Sequence, residues 1–411
     1  MTTAGTPGWR RTFWVVFVSN LLSGIGLSSF LPYFPTLLEE LGMQDAHERA
    51  LWAGILFGAA PLSAAFSGPV WGSIGDRYGR KLMVVRSLIG LTLFVGPMGL
   101  ARTAWELLAL RLLQGVFSGF MPPSLTLVSV VAPRDRQGLV TGWIQTASTV
   151  GTIVGPVLGA AILHWGSVGA VFALTSIGSA LSAVLVWFLA VEEREPRPRS
   201  ARFSLGAVLG SATLDVLALL RNRAVRAAMV LYATVHFALG ATSPQMEFFV
   251  EAVWSGERAR IEGLTGALFS VLALSAIVAT PLWGRLGDRL GHALALRAAS
   301  LLSAVTLVAH AFVPSYAWLF AVRLLFGLAS PGASASAFGL AATETERGQR
   351  GAAMGAVFSA RSLALSAGSF LGGALTAGLG IRGLFALAGV LIGLGMLVGR
   401  GPGPTESPRS V

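Results

Sequence analysis

The stretch "PVWGSIGDRYGRK", residues 69–81, places Asp76, Arg77, Arg80 and Lys81 within six positions, between two long apolar runs. A near copy, "PLWGRLGDRLGHA", follows at 281–293. At the offset of 212 that joins them, Pro69, Trp71, Gly72, Gly75, Asp76, Arg77 and Gly79 match Pro281, Trp283, Gly284, Gly287, Asp288, Arg289 and Gly291. The same offset carries "RLLQG" (111–115) onto "RLLFG" (323–327), Pro32 onto Pro244 and Glu39 onto Glu251. One offset serving six apolar runs means that the chain is a duplicated unit.

The medium follows from composition. Of 411 residues, 54% are hydrophobic and 12% charged, about half the charge of a typical soluble domain. Twelve apolar runs are each long enough for a bilayer core of about 30 Å. They lie near 12–38, 50–74, 82–101, 105–130, 138–162, 168–191, 226–250, 263–284, 293–313, 316–340, 351–377 and 380–399. The expected fold is all-α, twelve transmembrane helices in two pseudo-symmetric six-helix bundles. The expected division is residues 1–191, a cytoplasmic linker at 192–225 ("EEREPRPRSARFS" onward, with a short interfacial helix near 204–220), and residues 226–411. In such parallel repeats the substrate sits between the halves near the midplane, and rocking of one half against the other alternates access.

Net charge of +11 could suggest nucleic acid, but the basic residues lie in short loops between apolar runs rather than on one soluble face, which excludes that partner. Most of the 30 basic residues fall on the side that carries both termini; the other side has Arg49, Arg102, Arg258, Arg260 and Arg382. The positive-inside rule then makes both termini cytoplasmic, in a multi-pass inner-membrane protein. Arg10 and Arg11 anchor the first helix rather than mark an export signal, because the apolar run after them is too long and lacks a small-residue cleavage site. The absence of cysteine rules out disulfides and thiolate metal sites, and neither a metal nor a cofactor is expected. No paired nucleophile and base is present, which argues against an enzyme; the chain leaves no room for a soluble signalling domain.

"GSIGDRYGRK" resembles the loop signature of the major facilitator superfamily between its second and third helices. "RLLQG" (111–115) resembles the fourth-helix motif of that superfamily's drug:proton antiporters, "GTIVGPVLG" (151–159) the fifth-helix antiporter motif, and "IGLSSFLPYFP" (25–35) the first-helix motif of the twelve-helix drug antiporters. Within that group the first half resembles the MdtG-type multidrug efflux proteins. The resemblance implies a monomeric, proton-coupled exporter of lipophilic small molecules; uptake or facilitated transport of a sugar-like metabolite is the alternative, which the fifth-helix motif disfavours.

Residue roles follow with their plainer readings beside them. In the loop, Gly72, Gly75 and Gly79 permit a tight turn, and Asp76 can pair with Arg80 or accept from helix-start amides. The resemblance makes Asp76, Arg77, Arg80 and Lys81 a latch between the halves, with Asp288 and Arg289 in a weaker second copy where His292 and Ala293 replace the basic pair. The plainer reading is that these basic residues only enforce topology. Gly151, Gly155 and Gly159 share one helix face and form a groove for a close crossing, which Pro156 bends; the resemblance makes this segment a hinge and seal.

Arg111, the motif arginine, is either a modulator of the proton carrier or a side chain snorkelling to the interface; Arg323 carries the same ambiguity, and Arg361 lies deeper. The coupling group departs from expectation, because few acids lie well inside the apolar runs. Glu247, about 12 Å outward of its helix centre by helical rise, is the best proton carrier. His236, three turns before it, is the second candidate, or else a hydrogen-bonded packing residue. Tyr33, Phe34, Gln145, Tyr232, Gln245, Met246, Phe358 and Arg361 are the expected lining of a mostly apolar substrate cavity.

Overall fold

A computed structural model describes residues 8–133, 136–192, 223–343 and 350–398. The linker body and the interfacial helix expected near 204–220 lie outside the described residues, as do the side chains of Gly72, Asp76, Arg77 and Phe358.

The described chain is helical throughout. Ten helices are long and apolar enough to cross a membrane. They include α1 (Trp9–Glu40), α2 (Ala46–Tyr78), α3 (Arg80–Leu100), α5 (Gln137–Trp165), α6 (Val168–Leu189), α7 (Val225–Val253), α8 (Ile261–Leu290) and α9 (His292–His310). The other runs show why sequence and structure count differently. The run at 105–130 is not one helix: α4 consists of Ala104–Phe117 and Met121–Val131. Gly119 at φ 98 and the prolines at 122 and 123 interrupt it, since neither continues an α-helical ladder there. Likewise α10 pauses at Ser330 between Tyr316–Ala329 and Pro331–Thr343. The last two runs, α11 (350–379) and α12 (381–398), follow one another without a loop within Arg350–Val398, bent at Gly380, whose φ of 69 suits glycine.

Lipid offers no hydrophobic drive between helices, so close approach of backbones and internal hydrogen bonds must hold them together. The apolar side chains sort accordingly. Trp165, Phe188 and Phe312 point outward and exposed. Two buried clusters draw only on residues between Phe13 and Ala190, and a third only on residues between Val225 and Ile392. The core is therefore built separately in each six-helix bundle.

The duplication is visible atom by atom. Trp71 Nε1 on α2 donates to the carbonyl of Val116 on α4 at 2.7 Å, and its repeat mate Trp283 on α8 donates to the carbonyl of Leu328 on α10 at 2.8 Å.

The bundles meet along two crossings, α2 with α11 and α5 with α8. At the first, a Cβ on Gly54 would stand 2.2 Å from the carbonyl oxygen of Ser369, and one on Gly373 would stand 2.4 Å from that of Ala50. No side chain fits there without moving backbone.

Candidate functional site

The two bundles are closed against each other at the arginine-poor end. The chain at the top of α1 adds polar contacts to those crossings, where a short 3-10 turn at Leu31–Tyr33 separates the Phe34–Glu40 segment from the rest of the helix. Tyr33 donates its hydroxyl to the carbonyls of Pro156 (2.6 Å) and Glu262 (3.3 Å), one in each half. Gln245 Nε2 donates to the carbonyl of Ala50 at 2.9 Å, and Ser270 to that of Ile153 at 2.6 Å. Glu39 receives Arg49 of its own half and Arg258 of the other.

Glu247 lies at the centre of this closed seam. It is 5% exposed, and its Oε1 accepts a 2.8 Å hydrogen bond from Thr36 Oγ1 across the bundle interface. Its Oε2 has no partner among the described residues. The charged groups acting on it are Glu251, Glu262 and Arg49. A carboxyl so placed is costly to enclose when ionised and cheap when it carries a proton.

His236 does not join it. The 3-10 turn Ser243–Gln245 interrupts α7 between the two, so spacing along one continuous helix does not apply. His236 instead holds Nδ1 against the carbonyl of Tyr232 at 3.1 Å and meets the Tyr232 ring edge-on at 4.3 Å. Arg361 on α11 acts electrostatically on both. These three residues form a second polar cluster, in the middle of the second bundle.

The other expected lining residues divide. Tyr33 and Gln245 are seam contacts. Phe34 packs with Phe30 and Phe172 inside the first bundle, and Met246 is enclosed in the core of the second. Gln145 on α5 is exposed.

Arg111 does not snorkel: it is 2% exposed. Its Nε donates to the carbonyl of Leu56 at 2.9 Å, its Nη1 to Gln114 Oε1, and its guanidinium lies over the Phe34 ring at 5.3 Å. It ties α4 to α2 and α1. The repeat mate Arg323 has the same burial but a different fate. Phe326 replaces Gln114, and Nε, Nη1 and Nη2 all lack a hydrogen-bond partner among the described residues. The rings of Phe269 and Phe326 flank it at 5.9 and 5.8 Å.

The fifth-helix glycines do what their spacing requires. A Cβ on Gly155 would meet the Ser28 hydroxyl at 2.1 Å, and one on Gly159 the Ser29 carbonyl at 2.1 Å, so α5 lies directly on α1. Ser28 adds a 3.1 Å hydrogen bond to the carbonyl of Gly151. Pro156 keeps its carbonyl for Tyr33.

At the opposite end Gly79, at φ 109, turns the chain from α2 into α3. One acid at the start of α3 is a residue that the motif did not point to. Glu192, the first residue after α6 that carries a charge, accepts from the amides of Arg80 (2.5 Å) and Lys81 (3.3 Å), satisfying helix-start donors that have no intrahelical partner. In the second copy Asp288 reaches His292 Nε2 at 3.6 Å, and the imidazole packs over Gly287. Thr36 and Glu192 are thus the residues that sequence reasoning missed. Each lies far along the chain from its partner, and only the fold brings them together.

Two pseudo-symmetric six-helix bundles, closed on each other at one end of a membrane-spanning molecule, define a secondary active transporter rather than an enzyme. The chain belongs to the Major Facilitator Superfamily, whose profile matches residues 16–255 and 259–410. It is similar to the multidrug resistance protein MdtG of Yersinia enterocolitica, 28% identical over 389 residues covering 93% of this chain and 91% of that one. The MdtG of Proteus mirabilis is 30% identical over 322 residues, covering 78% and 77%. Among solved structures, the human organic anion transporter MFSD10 superposes with a TM-score of 0.71 at 21% identity, covering 96% of this chain and all of the other. A bacterial homologue of the human lysosomal transporter Spinster, inward-facing and unoccupied, superposes at 0.75 and 15% identity, covering 96% and 95%. At those identities the structural likeness concerns the fold alone. The protein is a multi-pass membrane transporter of small molecules.

Proposed function

We propose that the protein exports lipophilic small molecules against inward proton movement, with Glu247 as the proton carrier. The observation that carries this reading is the Thr36–Glu247 hydrogen bond, which closes the seam between the bundles over an acid with no counter-cation in bonding distance among the described residues. Protonation lowers the cost of burying that acid, so proton binding from the arginine-poor side favours closing that side. Opening it exposes the carboxyl again. The resemblance of residues 151–159 to the antiporter motif and the multidrug resistance named in the MdtG relatives support export as the direction.

In this reading residues 1–191 and 226–411 are the two moving units and 192–225 the cytoplasmic link between them. Both termini face the cytoplasm, the membrane is the inner one, and a single chain is sufficient. Gly75–Lys81 with Glu192 forms the cytoplasmic joint, and the polar cluster of Tyr232, His236 and Arg361 faces the substrate path.

The test is transport by the reconstituted protein in vesicles with an imposed pH gradient, across a panel of lipophilic compounds and sugars. Export of lipophilic compounds driven by the gradient is expected. Glu247→Gln should abolish gradient-driven transport while the folded, monodisperse protein is still recovered; undiminished proton-driven transport in that variant would remove Glu247 from the role, and gradient-driven sugar uptake would overturn the direction.

A further inference from the structure

A groove of about 640 Å³ runs along the outer wall of the first bundle, between α3, the α4 break and α6. Its sides are Leu82, Ile89, Leu93, Val184 and Phe188, all exposed on the outer surface. Its lining is almost wholly apolar, which suits acyl chains. Three cationic features depart from that character.

Arg86 lies in the groove lining, its guanidinium carbon 3.9 Å from the ring centre of Trp71. Nη2 is used: it donates to the carbonyl of Ser118 at 3.1 Å and to Ser87 Oγ at 2.7 Å, securing the end of the first α4 segment. Nε and Nη1 are enclosed and have no hydrogen-bond partner among the described residues. An enclosed cation with two unused donors is costly unless an acceptor reaches it.

About 7.5 Å further toward the start of α3, by helical rise, Lys81 holds its ammonium 5.9 Å from the ring of Trp187, itself part of the groove lining. Arg80 stands beside it. The acid in contact with this end is Glu192, and its oxygens are taken by the backbone amides of Arg80 and Lys81. Among the described residues, Lys81 and Arg86 therefore outnumber the one acid in contact with this end, Glu192.

We propose that this groove is a binding site for one anionic glycerophospholipid, with acyl chains along α3 and α6 and the phosphate at Lys81 and Arg86. Apolar walls explain the tails, and the two cations at one end explain the preference for a headgroup with net negative charge. The site occurs once per chain. At the repeat offset Lys81 becomes Ala293 and Arg86 becomes Ala298, so the second bundle lacks both cations.

The test is native mass spectrometry of the full chain in detergent with added phosphatidylglycerol or phosphatidylcholine. One retained phosphatidylglycerol is expected, in clear preference to phosphatidylcholine. Lys81→Gln should weaken its retention about fivefold, the factor expected for one basic side chain at an anionic headgroup. Ala180→Trp, which fills the groove, should abolish retention of either lipid. Arg86 is left intact because its bond to Ser118 also supports the fold. Equal retention of the two lipids, or parental retention in both variants, overturns the proposal. So does displacement of the lipid by a transported compound at equal stoichiometry, which would reassign the groove to the substrate.

Discussion

Thr36 and Glu247 stand 2.8 Å apart across the bundle interface, although 211 positions separate them in the chain. Thr36 follows the 3-10 turn of α1, and Glu247 follows the corresponding turn of α7, so both interruptions aim a short helix at the seam. Removing the hydroxyl leaves the acid without the one hydrogen bond it makes among the described residues. Thr36→Val should weaken the closed seam by about 1–2 kcal/mol and raise the fraction open at the arginine-poor end several-fold. The chain has no cysteine, so a single cysteine introduced at Ala50, which the closed seam buries to 2% exposure, reports opening through its labelling rate. An unchanged rate would mean that the bond does not bias the gate.

The arginine pair makes a contrast within one molecule. Arg111→Met removes a guanidinium with good acceptors and strands the carbonyl of Leu56 and the side chain of Gln114. A loss of about 2–4 kcal/mol is expected, since bonds to charged groups are the strong ones. Arg323→Met removes a buried cation with no acceptor among the described residues and keeps similar volume, and it should stabilise by about 1–3 kcal/mol. Thermal unfolding of the two variants in the same detergent checks the opposite signs. Destabilisation by both would mean that Arg323 has acceptors supplied by solvent or by another state.

Outside the membrane, Asp45 caps the start of α2. Its Oδ1 accepts from the amides of Glu48 (3.2 Å) and His47 (2.6 Å), and these bonds hold its carboxyl below the usual carboxylate range. A depressed folded-state value means that the cap stabilises the helix start above the unfolded value, about 3.9. That support disappears as pH falls through the folded value. Protection of the His47 and Glu48 amides, taken as exchange relative to the intrinsic rate at each pH, should fall over that acid window in the parent protein and be low throughout in Asp45→Ala.

The architecture was largely legible because membrane helices announce themselves. Each run must be apolar and about 20 residues long, whatever it packs against, and the duplicated "WGxxGDRxG" loop declares two copies of one unit. Helix ends were less legible. The α4 break depends on Gly119 adopting a positive φ, and the α11–α12 bend on Gly380 doing the same; glycine permits that conformation without requiring it. The spacing of Gly151, Gly155 and Gly159 foretold a close crossing. Nothing in the spacing named α1 as the helix that fills it.

Charged side chains show the division most sharply. Arg111 and Arg323 occupy equivalent places in nearly identical pentapeptides, and both are enclosed. Whether each is satisfied depends on one residue three positions on, Gln114 or Phe326, and on which backbone carbonyls the neighbouring helix presents. Glu247 was visible as an acid in an apolar run, but its partner was not. A hydrogen bond reaches about 3 Å, and at that range only the closing of one bundle on the other selects Thr36. The sequence alone determined the medium, the twelve spans and the duplication, because those rest on transfer free energy summed over long segments. The tertiary structure decided which buried polar groups find partners, because that rests on single contacts between residues far apart in the chain.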